Sequence, residues 1–344
     1  MGQCKYTILP SNGLKGLATF FRHVTNISIQ IRTQLLAVSP ANAHYFQVIE
    51  EAAFAMNLDD SSPINFTEFA KQCKMGSGFN RWHDKPMQFI ITANGQSGLL
   101  VEHSYLDGTT PAALYDRMHD AIRAYKPTGQ TPPRVPSPEE IPLVLPSNLD
   151  KHISVLREQW LSNNSLREFI SYELPTISGQ ILGQSKVPIK SGYDVLCQLA
   201  FFLYNGKRIA ANWQPVMLSQ FHDGRHDMVQ MASPKVRAFC EAVVATGKDE
   251  VPILQKRNLM IEAARDISRR LSEAKDGKGF FRLFVTIEQR WPKDQPKARV
   301  FDDTLHKRTF DFPISNINHN TVESVTTPLD PSALRIRYTI HDDQ

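Results

Sequence analysis

The chain has 344 residues and a mass of 39.0 kDa, a length that favours two domains at about 150 residues each. A hydrophobic fraction of 41% and a charged fraction of 22% are typical of folded globular proteins and exclude disordered, collagen-like and coiled-coil chains. No apolar run approaches the roughly 18 residues of a membrane span. The net charge of +4 comes from cations and anions mixed along the chain, which argues against nucleic acid as a partner.

The four cysteines, Cys4, Cys73, Cys197 and Cys240, are far apart and form no CxxC pair. This spacing argues against a metal site and against a disulfide framework, and it fits a reducing compartment. The N-terminal stretch has no apolar segment of the secretory type. A cytoplasmic location is therefore expected, with mitochondria and peroxisomes left open.

In the first half of the chain, residues 16–58 are predicted to be mostly helical, because apolar residues recur every three or four positions. Next, the apolar runs MQFIITA and GLLVEH flank Asn94-Gly95, which predicts a β-hairpin. His103 then lies at the end of a strand. A helix is expected from Pro111, with Thr109 or Thr110 as its N-cap.

Residues 126–146 include seven prolines, which predicts an extended crossing between two units. The predicted domains are therefore residues 1–145 and 146–344, and a long surface loop inside one domain is the alternative. In the second half, helices are expected near 150–174, over YDVLCQLAFFLYNGK, and over 233–245 and 255–274. GFFRLFVTIEQ and ALRIRYTIH are predicted as strands, so the fold class is α/β.

The segment from Glu102 to Gly108, EHSYLDG, carries the residues most suited to catalysis. A histidine at a strand end is held firmly yet stays accessible, and imidazole can take a proton from a hydroxyl or thiol near neutral pH. Asp107 can support the loop, and Gly108 allows a sharp entry into the next helix. Spacing alone also fits a purely structural histidine.

Three blocks of sequence occur in a characteristic order: NRWHDKPMQFIITANGQSGLLVEHSYLDG, then QLAFFLYNGKRIAANWQPVMLSQFHDGRHDM, then GKGFFRLF. Together they resemble the choline/carnitine acyltransferases from about residue 41 onward. The resemblance implies direct acyl transfer between CoA and an alcohol. In it His103 is the general base, Asp107 supports that base and its loop, and Ser315 stabilises the tetrahedral oxyanion.

The resemblance also assigns binding residues. Arg282 matches the family's carboxylate-binding arginine, whereas Trp213 and His226 stand where the family has a tyrosine and a threonine, so carnitine itself is in doubt as the acceptor. Lys186 and Lys190 are candidates for binding the phosphates of CoA, although the family's Ser-Pro-Asp turn is missing. CoA is expected as a substrate, with no tightly bound cofactor and no metal.

The fold implied by the resemblance is the CoA-dependent, chloramphenicol-acetyltransferase-like α/β fold. It has two related halves with mixed sheets and an active-site tunnel between them. Family members are longer, so the first half is expected to be incomplete. The chain then corresponds to a fragment, to a protein completed by a partner chain, or to the acyltransferase domain of a fungal polyketide synthase, where the acceptor can be a polyol.

Two other functions fit the sequence. The chain could be a degenerate member that binds acyl-CoA or a partner protein without turnover. It could also be a hydrolase with a cysteine nucleophile, which requires a cysteine beside a histidine. Cys197 and Cys240 lie in apolar helical stretches and are better explained as core residues.

Overall fold

The computed structural model describes residues 25–77, 80–83, 85–103, 106–126, 129, 139–174, 177–303, 314–316, 325 and 334–340. The chain forms two compact units, Met1–Tyr172 and Glu173–Gln344. Each unit has its own hydrophobic core. No helix in the described part of the chain is long and apolar enough to cross a membrane.

The first unit combines five helices with three strands over its described residues. They are α1 (Thr25–Val38), α2 (Pro40–Glu51), β1 (Ala55–Asp59), α3 (Phe66–Met75), β2 (Met87–Thr92), β3 (Ser97–Val101), α4 (Thr109–Ala124) and α5 (Ser147–Ser165). Apolar residues on α1, α2 and α5 pack together, with Leu35, Tyr45 and Phe46 almost fully buried at the centre. Helix prediction over residues 25–51 is thereby confirmed, and residues 16–24 lie outside the described part.

The three strands form one sheet in the order β1-β2-β3, with β1 parallel to β2 and β2 antiparallel to β3. The predicted hairpin is confirmed, because Gly95 takes φ 81° in the turn between β2 and β3, where glycine is strongly favoured. The helical prediction for residues 55–58 is wrong. These residues form β1, which pairs with a strand about thirty residues later and so depends on a partner that local periodicity does not reveal.

Helix α4 confirms the helix predicted around Pro111, but its N-cap is Gly108 and no side chain caps it. The predicted Thr109 or Thr110 cap is therefore wrong, because Thr109 is already inside the helix. Near the end of the proline-rich segment, the backbone N–H and C=O of Val144 bind the side-chain amide of Asn42. Leu149 and Ile153 of α5 also pack into the first core. The division at residue 145 stays a prediction, while this packing places α5 with the first unit.

The second unit is built mainly from helices around a short hairpin. Its elements are α6 (Gly179–Gln184), α7 (Ile189–Tyr204), β4 (Trp213–Met217), β5 (His226–Gln230), α8 (Pro234–Val244), α9 (Ile253–Glu273), α10 (Phe281–Gln289), α11 (Arg299–Asp302), β6 (Ile314–Asn316) and β7 (Ile336–Tyr338). Helices α7, α8 and α9 pack on the antiparallel pair β4-β5, and all three were predicted. Val195, Val236 and Ile267, one from each helix, are fully buried.

The predicted strand GFFRLFVTIEQ is wrong, because most of it forms helix α10. Its dense apolar run fits the two-residue period of a strand as well as the 3.6-residue period of a helix. A distant contact favours the helix, because the carboxylate of Asp227 accepts a hydrogen bond from the Arg282 backbone N–H in the first turn. The predicted strand in ALRIRYTIH is confirmed as β7, which lies parallel to β6. The architecture is mixed α/β with small sheets, whereas the acyltransferase fold with its tunnel stays a prediction.

Candidate functional site

A buried ion pair fixes the sheet that carries His103. Arg81 and Asp59, each almost fully buried, are joined by two hydrogen bonds of 3.0 and 2.6 Å between guanidinium and carboxylate. The remaining donors of Arg81 bind the backbone carbonyls of Gln72, Cys73 and Asn80. Because every donor has an acceptor, the pair can remain charged inside the protein.

Lys85 and Gln88 hold the segment that leads into β2. The Lys85 ammonium donates to the backbone carbonyls of Ile49 and Glu50 at the end of α2. The Gln88 amide accepts from the Trp82 N–H at 2.8 Å and donates to the Trp82 carbonyl at 2.7 Å. The conspicuous NRWHDK motif therefore has a structural task, which is to anchor the hairpin that ends at His103.

His103 follows β3 by two residues, as predicted, and its side chain is 60% exposed. Its Nδ1 lies 3.7 Å from Oδ1 of Asp107, whose side chain is only 8% exposed. Asp107 directly precedes Gly108, the N-cap of α4, where the helix dipole favours negative charge. The structure thus places a buried carboxylate behind an accessible imidazole, an arrangement suited to orienting the ring for proton transfer.

A pocket of about 120 Å³ opens beside His103. It is lined by Lys74, His83, Lys85, Gln88, Leu100, Val101, Glu102 and His103. Ligand pockets for whole small molecules measure about 300–1,000 Å³, so this one can receive only part of a substrate. Its polar lining suits a polar group rather than an acyl chain.

In the second unit, Arg282 and His226 are in contact. The guanidinium of Arg282 donates to the His226 carbonyl at 2.8 Å and lies 3.1 Å from the His226 Nε2. Asp227, which is almost fully buried, accepts from the backbone N–H groups of Arg282 and Met228. Gly279 makes this approach possible, since a Cβ there would lie 2.0 Å from Asp227 Oδ2.

Trp213 lies close to this pair, because it packs against Phe281, the residue before Arg282. Its ring centroid is 4.6 Å from that of Phe281, and the indole is 7% exposed. The structure therefore gathers the three predicted acceptor-binding residues around the start of α10. Their role in binding an acceptor stays a prediction.

Lys186 and Lys190, the predicted CoA-binding residues, lie at the entry to α7 with exposed side chains. Lys186 has φ 59° in the turn after α6, and its backbone N–H donates to the Gly183 carbonyl. Lys190 is in the first turn of α7. The environment of the Lys190 ammonium is more buried, which lowers its pKa, and the nearby Asp194 carboxylate partly offsets this effect. The role of both lysines in binding CoA stays a prediction.

Ser315 lies at the centre of β6, where its Cα is the register partner of Arg337 on β7. The structure describes Ser315 through its backbone alone, so its predicted oxyanion contact stays a prediction. Beside it, Tyr338 on β7 donates to Asp194 on α7 at 2.8 Å. Burial raises the pKa of Asp194 to about 6. Sequence reasoning missed this carboxylate, because Asp194 stands within an otherwise apolar helical run.

The described cysteines do not suit a nucleophile. Burial raises the pKa of the Cys73 and Cys197 thiols to about 12 and that of Cys240 to about 11. A thiolate is the reactive form, so these values weigh against the cysteine-hydrolase hypothesis, and Cys4 lies outside the described residues. Within the described ranges, no group of three or more His, Cys, Asp or Glu side chains is placed to hold a metal ion.

Comparison with known proteins adds evidence that is independent of this geometry. A family model described as Choline/Carnitine o-acyltransferase matches residues 24–344. Highly reducing polyketide synthase ltbA of Aspergillus luteorubrus is 32% identical over 91% of this chain and 10% of the synthase. Mitochondrial carnitine O-acetyltransferase of Saccharomyces cerevisiae is 25% identical over 78% of this chain and 41% of that enzyme.

Peroxisomal carnitine O-octanoyltransferase of Bos taurus is 20% identical over 91% of this chain and 53% of that enzyme. The chain thus spans about half or less of these carnitine acyltransferases, and about a tenth of the synthase. Each relative is matched over most of the present chain, so the similarity is not confined to a single motif.

Proposed function

Because the chain belongs to the choline/carnitine O-acyltransferase family, we propose that it transfers an acyl group between the thiol of CoA and the hydroxyl of an alcohol. The acceptor is carnitine-like or a polyol. The observation that carries the proposal is the exposed His103 imidazole with the buried Asp107 carboxylate 3.7 Å behind it. This pair supplies the base that the reaction needs.

In the proposed reaction, Nδ1 of His103 faces Asp107 and Nε2 exchanges the proton. Nε2 takes the proton of the acceptor hydroxyl as the oxygen attacks the thioester carbonyl carbon. This attack forms the C–O bond and gives a tetrahedral intermediate, and collapse of the intermediate restores the carbonyl and breaks the C–S bond. The departing sulfur receives the proton from the imidazolium, so the base is regenerated and no acyl-enzyme forms.

The other predicted residues complete this proposal. Ser315 donates a hydrogen bond to the oxyanion of the intermediate, an interaction that can contribute a few kcal/mol. Arg282, with Trp213 and His226, binds the polar end of the acceptor, and Lys186 and Lys190 bind CoA phosphates. CoA acts as a substrate and not as a resident cofactor.

The test is the release of free thiol from acetyl-, octanoyl- and palmitoyl-CoA, with and without carnitine, choline or a polyol. We expect release to require an acceptor, and His103→Ala to lower the rate by about 10²–10⁴-fold, the usual contribution of a general base. His44→Ala, which changes an exposed histidine on α2, is the matched control and should retain full activity. Transfer that survives His103→Ala in a folded protein would disprove this mechanism.

A second candidate is binding without turnover, motivated by the fact that the chain spans about half or less of its carnitine acyltransferase relatives. The same assay separates the two functions. Acyl-CoA binding measured by calorimetry, with no thiol release for any acceptor, would favour the binding protein.

A further inference from the structure

The first turn of α10 is held by a carboxylate that belongs to another element. The first N–H groups of a helix have no partner within the helix, and Phe280, the N-cap residue of α10, has no side-chain oxygen to accept from them. Oδ1 of Asp227, on β5, accepts instead from the backbone N–H of Arg282 at 3.1 Å. Arg282 is the second residue of the helix, a position that a capping side chain usually serves. Asp227 therefore caps α10 from another strand, where the helix dipole favours its charge.

Space for this carboxylate depends on one glycine. Asp227 is 4% exposed, and its Oδ1 also accepts from the Met228 N–H at 2.8 Å. A Cβ on Gly279 would lie 2.0 Å from Oδ2 of Asp227. Because Gly279 has φ −69° and ψ 155°, a conformation that other residues adopt freely, the glycine is needed here for space and not for its backbone freedom. Substituting Gly279 therefore displaces the carboxylate without changing Asp227 itself.

Arg282 is fixed to β5 by two contacts. Its backbone N–H is bound by Asp227, and its Nε donates to the backbone carbonyl of His226, the preceding residue of β5, at 2.8 Å. Phe281, the residue before Arg282, packs on Trp213 with 4.6 Å between the ring centroids. The position of the first turn of α10 thus determines where the guanidinium and the indole lie relative to each other. Displacing such a binding group by about 1 Å can cost about 10²-fold in rate.

We propose that Asp227 is a positioning residue for acceptor binding, which acts through the backbone of Arg282 and does not contact the substrate. The inference rests on the proposed function, since it takes Arg282 as part of the acceptor site. Loss of the carboxylate would let the first turn of α10 move away from β5 and carry the guanidinium with it. Acceptor binding should weaken. Acyl-CoA binding should not, because the proposed CoA-binding residues, Lys186 and Lys190, lie at the entry to α7.

The experiment measures KM for the acceptor and for acetyl-CoA separately, with whichever of carnitine, choline and glycerol wild type uses fastest. We expect Asp227→Ala to raise KM for the acceptor about tenfold or more and to leave KM for acetyl-CoA unchanged. Asp227→Asn keeps an oxygen that can accept from Arg282, so it should retain most of the acceptor affinity. Gly279→Ala should act like Asp227→Ala. Asp223→Asn is the control, because it changes an exposed aspartate in the turn before β5 whose φ of 53° asparagine tolerates.

A second background separates positioning from general support of the fold. Once Arg282→Ala has removed the guanidinium, Asp227→Ala should cause no additional rise in KM for the acceptor. Circular dichroism checks that each variant is folded. Multiplying losses in the double variant, or an equal rise of both KM values, would show that Asp227 does not act through Arg282 and would overturn the inference.

If wild type transfers to no acceptor, the proposed function fails, and the inference is tested by the reaction of Arg282 with phenylglyoxal. Mass spectrometry after timed exposure gives the rate at each arginine. Asp227→Ala and Gly279→Ala should each speed modification of Arg282 severalfold and leave Arg265, an exposed arginine on α9, unchanged. An unchanged rate at Arg282 would refute positioning by Asp227.

Discussion

At the scale of single residues, the carboxylate behind the imidazole distinguishes His103 from an ordinary surface histidine. Asp107 is only 8% exposed, lies 3.7 Å from Nδ1 and precedes the first turn of α4. The dipole of α4 favours the negative charge of Asp107 at this position. That charge can stabilise an imidazolium formed on His103 during proton transfer. His103 itself is 60% exposed, so water weakens the interaction.

We expect Asp107→Asn to lower kcat by roughly tenfold and to leave KM for acyl-CoA unchanged, because an interaction of about 1–2 kcal/mol is lost at this distance near the surface. Steady-state thiol release measures both constants. Asp107 is a positioning residue, acting through the histidine.

The matching control is the double variant with His103→Ala, in which Asp107→Asn should cause no additional loss of rate. Thermal unfolding of each variant accompanies the assay. Independent, multiplying losses in the double variant would show that Asp107 acts other than through His103.

At the scale of secondary-structure elements, the Arg81–Asp59 pair links β1 to the end of α3. The carboxylate also accepts from Gln72 and Asn80, and the guanidinium binds three backbone carbonyls. Removing one partner would leave a buried charge without compensation, which is among the most costly of point changes. The pair therefore determines how β1 and α3 meet.

We expect Arg81→Met to reduce the free energy of unfolding of the first unit by about 3–5 kcal/mol. Urea denaturation followed by circular dichroism measures this change. Arg237→Met is the control: it removes an exposed ion pair with Glu241 on one helix face, and such pairs contribute about 0.3–0.5 kcal/mol. A loss below about 1 kcal/mol for Arg81→Met would show that the buried pair adds little.

At the scale of the whole molecule, the chain has two units that contain different reporter thiols. Cys73 is half-buried in the first unit, and Cys197 and Cys240 are buried in the second. Asp194 belongs to the second unit, where it is fully buried and accepts from Tyr338. Its raised pKa, about 6 against an ordinary 3.8, means that its ionisation costs stability above pH 6.

A difference of about two units between the folded and unfolded pKa of Asp194 lowers the free energy of unfolding by ~3 kcal/mol when the carboxylate is charged. This loss of stability disappears as the pH falls from above 6 towards 4. In a Cys4→Ser background, we expect Asp194→Asn to slow alkylation of Cys197 and Cys240 at pH 7.5. The variant should approach wild type as the pH is lowered to 5. Cys73 should react at the same rate in both proteins at every pH.

Mass spectrometry after timed alkylation identifies each thiol. An equal change at Cys73 would show that the two units unfold together. A faster reaction at Cys197 at pH 7.5 would show instead that the charged Asp194 stabilises its surroundings.

Local patterns in the sequence determined much of this protein. The recurrence of apolar residues every three or four positions predicted α1 and α2, Asn94-Gly95 predicted the hairpin, and the apolar run before EHSYLDG placed His103 after a strand. Helix periodicity and tight turns depend on neighbouring residues, so one segment suffices to recognise them. The match over residues 24–344 shows that the motifs quoted from the sequence also identified the family correctly.

Contacts between distant residues decided the rest. Residues 55–59 are a strand because β2 pairs with them, and α10 is a helix with its first turn bound to the carboxylate of Asp227, more than fifty residues earlier. The meeting of Arg282 with His226, and the placing of Arg337 beside Ser315, likewise depend on tertiary neighbours. A short apolar run fits either period, so the partner that buries it determines its conformation.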